Sequence, residues 1–164
     1  AAEGAKVGSC VVANDNNNGN VVISGDKAGV DRAIEAAKEL GARAIPLNVS
    51  APFHSALMKP AADRLLDRLQ SVALSVPSIA VVNNIDVAVE SDADRIRDAL
   101  YRQAYGPVRW VEVMQALHAR GVTHVVECGP GKVLSRMVAR IVPELQAGAL
   151  FDPASLAETR GLLS

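Results

Sequence analysis

The 164-residue chain has little with which to cross-link itself, hold a metal or follow a polyanion. Its two cysteines, Cys10 and Cys128, lie far apart and neither has a C-x-x-C companion. That pattern speaks against a disulfide framework and a zinc knuckle, and for reduced, partly buried thiols. No histidine or carboxylate cluster shows ligand spacing, so neither a metal nor any other cofactor is expected. The formal net charge is −1, with acids and bases interspersed. A protein of that balance offers no phosphate-tracking surface, and nucleic acid is not an expected partner. Apolar runs are broken by charge or glycine well before the roughly 18 residues that a bilayer-spanning helix requires. No signal peptide is recognised, so a cytoplasmic location and no membrane partner are expected. Internal repeats and low-complexity linkers are absent as well. The opening Ala1-Ala2-Glu3-Gly4 reads like the end of a helix, which suggests a piece of a longer polypeptide.

What is present is the composition of a globular protein, 49% hydrophobic and 21% charged. The length suits one domain with a real core, or one domain plus a small appendage. Cys10 to Asn14 and Asn20 to Ser24 are short β-type runs around Asn18-Gly19, a hairpin signature. From Lys27 to Leu40, Val30, Ala33, Ile34, Ala37 and Leu40 recur at helical spacing, with Asp26 as N-cap and Gly41 as stop. Residues 43–49 read as a returning strand. Strand, strand, helix, strand is part of a split βαβ sheet whose first strand and helix are not in these residues. Ala1 to Gly8 would then be the stump of that helix.

The rhythm changes after Ser55. Ala61, Leu65, Leu66 and Leu69 form a helical stripe opened by Pro60; residues 79–83 form a β-branched run; and Ser91 precedes a helix carrying Ile96, Ala99 and Leu100. Pro107 is expected to open a helix that runs through Trp110, Val113, Met114 and Leu117 to Gly121. Val122 to Cys128 reads as a strand, and Gly129-Pro130-Gly131 leads into a helix bearing Val133, Leu134, Met137, Val138 and Ile141. Strands alternating with helices predict an α/β region with a mostly parallel sheet. The tail from Phe151 is weakly patterned, consistent with a surface helix.

Three places could carry chemistry. The stretch Pro46 to Ser55 ends a β-rich run in a proline-set corner, where Phe53 and His54 arrive together ahead of a helix. A histidine held there by rigid elements is placed as catalytic residues often are, although a loop-fixing hydrogen bond would also account for it. His118, late in a helix, and His124, within a strand, read as structural. Gly129-Pro130-Gly131-Lys132 does not match G-x-x-x-x-G-K-[ST], so its glycines read as a tight turn, with the following helix N-terminus open to an anion. The asparagine cluster suits turn chemistry, while Asn14 and Asn16 share one side of an extended chain and could face one cleft.

These residues also carry a resemblance. Asn14-Asp15-Asn16 with Asn20 to Gly25, Val49 to Met58, Val81-Val82-Asn83-Asn84, Arg102-Gln103, Pro107-Val108-Arg109-Trp110 and Glu127 to Leu134 are six motifs in the order found in malonyl-CoA:acyl carrier protein transacylases. The chain resembles the C-terminal half of such an enzyme. The resemblance implies part of a ferredoxin-like small subdomain over residues 1–49 and the C-terminal part of a hydrolase-like α/β subdomain over residues 50–164. It also implies malonyl transfer in fatty-acid synthesis, from malonyl-CoA to the phosphopantetheine thiol of acyl carrier protein through a serine ester. His54 matches the general base. Gln103 matches the residue whose backbone carbonyl orients it. Asn16 and Asn14 match residues near the phosphopantetheine channel, and Phe53 is similar to the aromatic of malonyl-selective domains, whose packing would disfavour a methyl branch by about 1–3 kcal/mol.

The departures are as definite. These 164 residues contain no G-x-S-x-G elbow, and the family's carboxylate-binding arginine and oxyanion-hole donors belong to its N-terminal half. The nucleophile is therefore expected from a missing N-terminal half of the same protein, and the fragment alone is expected to be inactive and prone to aggregate. A non-catalytic module that binds acyl carrier protein or another partner is the alternative.

Overall fold

The computed structural model describes residues 1–163. It forms two compact units: Ala1–Asp15 with Val21–Arg109, and Asn16–Asn20 with the residues from Trp110 onward. The expected boundary after Val49 falls inside the first unit.

Strands β1 (Cys10–Asn17) and β2 (Asn20–Gly25) make a two-stranded sheet. They are joined through Asn18 and Gly19, with Gly19 at φ 82°, as the Asn-Gly signal requires. Helix α1 (Lys27–Glu39) follows and is started by Asp26. One Asp26 carboxylate oxygen accepts from Gly29 N at 2.8 Å and the other from Ser9 N at 2.7 Å. These bonds hold the Asp26 carboxyl below its usual range, the Gly29 N–H contributing most, and tie the start of β1 to the start of α1. A Cβ on Gly4 would lie 2.2 Å from the Gly29 carbonyl oxygen, so only glycine lets the first turn approach α1 this closely. That turn is a single 3-10 turn, Gly4–Lys6, where the end of a longer helix was expected.

Two expected strands do not form in the first unit. Residues 43–49 pair with nothing in a ladder, and Ile45, Leu47 and Val49 are 58–61% exposed. A β-branched run becomes a strand only beside a partner, and Pro46 removes one of the donors that pairing would need. Residues 79–83 likewise contribute only an isolated bridge, Val82 to Val89, and leave Ile79 78% exposed. The helical expectations fare better because a helix closes its own hydrogen bonds. Helix α2 (Lys59–Gln70) has Pro60 in its first turn, and α3 (Ala93–Gln103) starts at Asp92, whose carboxylate accepts from Asp94 N and Arg95 N. The two helices pack against each other, each with a buried alanine, Ala62 and Ala99, and Arg97 Nε donates to the Leu69 carbonyl at 3.1 Å.

In the second unit, α4 (Trp110–Ala119) leads to β3 (His124–Cys128), α5 (Val133–Ile141), β4 (Gln146–Leu150) and α6 (Pro153–Leu162). Pro107 does not open α4. Val108 is taken by β1 instead, donating to the Ala13 carbonyl at 2.8 Å and accepting from Asp15 N at 3.0 Å, so the helix begins at Trp110. Strands β3 and β4 pair in parallel from His124 opposite Gln146 to Cys128 opposite Leu150. Gln-Ala-Gly-Ala-Leu carries no β-branched residue, and β4 was not expected from the sequence. Its ladder to β3 and the bond from Thr159 Oγ1 to the Ala149 carbonyl, 3.3 Å, hold it in place. Val113, Met114, Val138, Val142, Leu145 and Ala149 form the core of this unit. The architecture is mixed α/β with two small sheets, one of them parallel. No helix among the described residues is long and apolar enough to cross a membrane.

Candidate active site

The corner before α2 is held tightly. Phe53 N donates to the Ala51 carbonyl at 2.9 Å, and Ser55 Oγ, in a residue only 1% exposed, donates to the Pro52 carbonyl at 2.7 Å. Between them His54 sits at φ 59°, in the left-handed region that L side chains enter at a cost of about 1–2 kcal/mol. The outcome of that strain is a directed ring. His54 Nδ1 lies 3.1 Å from the Gly106 carbonyl oxygen. A carbonyl can only accept, so Nδ1 carries the proton and donates it. In the neutral ring this leaves the lone pair on Nε2, the form a general base requires.

The acceptor is therefore Gly106, three residues beyond Gln103, whose carbonyl was expected there. The chain leaves α3 in a tight turn in which Tyr105 N and Gly106 N donate to the Arg102 carbonyl at 3.3 and 2.8 Å. This turn carries the Gly106 carbonyl to the ring. Two residues later Val108 pairs with Asn14 on β1. The segment 106–108 thus has the His54 ring at one end and the Asn14 backbone at the other. Gln103 lies instead on a cavity of about 270 Å³, with Asn84, Glu90, Ile96 and Leu100. Phe53 is 47% exposed, so its ring is not spent on filling the corner. Asn16 lies at the hairpin tip in the second unit, where its Nδ2 donates to Asn20 Oδ1 at 3.3 Å.

Sequence reasoning did not single out the loop of residues 83–88. Asn83 organises it: its Oδ1 accepts from Asp86 N at 2.7 Å and its Nδ2 donates to the Ala88 carbonyl at 3.1 Å. Arg102 then grips Asp86 with two bonds of 2.8 and 2.7 Å, and its Nε donates to Asp98 at 2.6 Å. The guanidinium holds the Asp86 carboxyl below its usual range, and the two carboxylates raise the Arg102 pKa. Asn83 and Arg102 stood within the ordered motifs, but no spacing rule joins them to Asp86.

The second glycine corner is closed to an outside anion. Gly131 has φ 126°, and the Glu127 carboxylate accepts from Val133 N at 3.2 Å and Ser135 N at 2.8 Å. The N-terminus of α5 is filled by the chain's own carboxylate, which the Ser135 N–H, foremost among its backbone donors, holds below its usual range.

No family model matches the chain. The malonyl CoA-acyl carrier protein transacylase of Salmonella typhimurium is 53% identical over 144 residues, which are 87% of this chain and 47% of that protein. The chain is a homologue of the malonyl CoA-acyl carrier protein transacylases. The Escherichia coli K12 transacylase is 49% identical over 158 residues, 96% of this chain and 50% of its own length. The acyl-carrier-protein S-malonyltransferase structure from Burkholderia pseudomallei 1710b aligns with a TM-score of 0.94 at 56% identity, covering 96% of this chain and 52% of that one. The chain spans about half the length of the curated transacylases it matches.

Proposed function

We propose that the intact protein transfers malonyl from malonyl-CoA to the phosphopantetheine thiol of acyl carrier protein, and that these residues supply its general base, His54. The observation that carries this reading is the 3.1 Å contact of His54 Nδ1 with the Gly106 carbonyl, which in the neutral imidazole puts the proton on Nδ1 and the lone pair on Nε2. The nucleophile is a serine outside these 164 residues. His54 Nε2 takes the serine proton as Oγ attacks the thioester carbonyl, then returns it to the departing CoA thiolate as the tetrahedral intermediate collapses to the malonyl ester. The second half repeats the exchange, with the carrier thiol as nucleophile and the serine as leaving group.

By the transacylase resemblance Asn16 and Asn14 match residues near the phosphopantetheine channel, Gln103 matches the residue that orients the base, a part the Gly106 carbonyl takes here, and exposed Phe53, next to His54 in sequence, acts as a filter against a branched acyl group. The small-subdomain character of residues 1–49, the hydrolase-like character of residues 50–164 and a cytoplasmic setting are parts of the same proposal. The test is mass spectrometry of the intact protein after exposure to malonyl-CoA. A malonyl group on a serine, passed on to added acyl carrier protein, is the expected result. Binding of the carrier with no ester formed would instead favour a non-catalytic module.

A further inference from the structure

We propose that Arg102 is a positioning residue for His54, acting through the loop of residues 83–88 and the Gly106 carbonyl. What the base is used for rests on the transacylase reading; the positioning itself does not. Arg102 touches the carbonyl's support from two sides. Its own backbone carbonyl accepts from Gly106 N at 2.8 Å, and its guanidinium holds both oxygens of Asp86 at 2.8 and 2.7 Å. Asp86 follows Ile85, whose Cδ1 would lie only 2.3 Å from a Cβ built on Gly106, so the Ile85 side chain packs directly against that glycine. Arg109 Nη1, donating to the Ile85 carbonyl at 3.2 Å, holds the same loop from beyond Gly106.

The loop needs this clamp because it contains a strained residue of its own, Val87, at φ 55°. A β-branched side chain in the left-handed region persists only where its surroundings fix it. The planar fork of Arg102 can satisfy Asp86 and Asp98 together, with the two Asp86 bonds made in one plane. A lysine keeps the charge and loses the fork. Without it the loop relaxes, Ile85 moves on Gly106, and the carbonyl no longer selects the Nδ1–H form of His54.

The test uses the intact polypeptide with ¹⁵N-labelled histidine at about pH 9, where an ordinary imidazole is neutral. The His54 signals are assigned by their loss in His54→Gln. Wild type is expected to show a protonated Nδ1 and an unprotonated Nε2, and Arg102→Lys to move both shifts toward the tautomer average. Asp86→Asn, which cuts the same clamp from its other side, is expected to do the same. In the transfer assay kcat should fall about 100-fold, with KM little changed. Arg97→Lys is the control: it alters another α3 arginine, one bonded to the Leu69 carbonyl, and should leave both readouts unmoved. Unaltered His54 shifts in both clamp variants would overturn the positioning role, as would equal shifts in the control. Shifts that behave as described in a protein that forms no serine ester would leave this inference standing and remove the transacylase reading instead.

Discussion

Two corners of the chain turn into helices and solve the turn in opposite ways. At Gly131 the left-handed backbone is given to a glycine, and the helix N-terminus behind it is satisfied internally by Glu127. At His54 the left-handed backbone is given to a histidine, and the ring is aimed at one carbonyl. The strain costs about 1–2 kcal/mol, and a hydrogen bond to a carbonyl returns about 0.5–1.5 kcal/mol. The two nearly cancel, so stability alone gives no reason for histidine at position 54. The first corner is built to be stable, whereas the second holds an imidazole in one orientation at no net gain.

The sharpest way to break that contrast is His54→Gln in the intact protein. Malonyl transfer is expected to fall by about 10²–10⁴-fold, the span that a general base contributes, while stability changes by no more than about 1.5 kcal/mol, the bond to Gly106. Unchanged transfer rates would remove His54 from the mechanism. Gly131→Ala should behave in the reverse manner. Its added Cβ meets nothing within 4 Å, so the whole penalty is conformational. A loss of about 1–3 kcal/mol in chemical denaturation, with the His54 ¹⁵N signals unaltered, is expected. A fully stable Gly131→Ala protein would show that the φ of 126° imposes no constraint.

How much of this could be read beforehand follows from where each element finds its hydrogen bonds. Asp26, Pro60 and Gly41 announced α1 and α2 because caps and first turns are local chemistry. The Asn18-Gly19 hairpin was legible for the same reason. Residues 43–49 and 79–83 looked like strands but lack a partner ladder, and β4 did not look like one yet has a partner in β3. Pairing is a property of two segments, and a sequence pattern shows only one. The site divides in the same way. His54 and its corner could be recognised from proline, aromatic and histidine in succession, and the resemblance suggested the role proposed for it. That Gly106 rather than Gln103 would face Nδ1 depends on how the chain leaves α3, which no spacing reveals. The clamp of Arg102 on Asp86 joins residues 16 apart through a loop with no regular structure.

The smallest effect concerns the carboxylate of the stable corner. Its backbone donors, the Ser135 N–H first, hold the folded Glu127 carboxyl below the ordinary value of 4.5. A depressed folded pKa contributes stability that is fully present above the unfolded value and is lost as pH falls through the folded one. Glu127→Gln removes the charge at every pH, so its penalty against wild type should be largest near neutrality and vanish in acid as the wild-type carboxyl protonates. An exposed charge at a helix N-terminus places that penalty near about 0.5 kcal/mol, and lower in high salt. Melting both proteins across a pH series reads it directly. A difference in melting temperature that persists unchanged into acid would mean that Glu127 holds α5 by shape alone, and that its charge has no part in closing the corner.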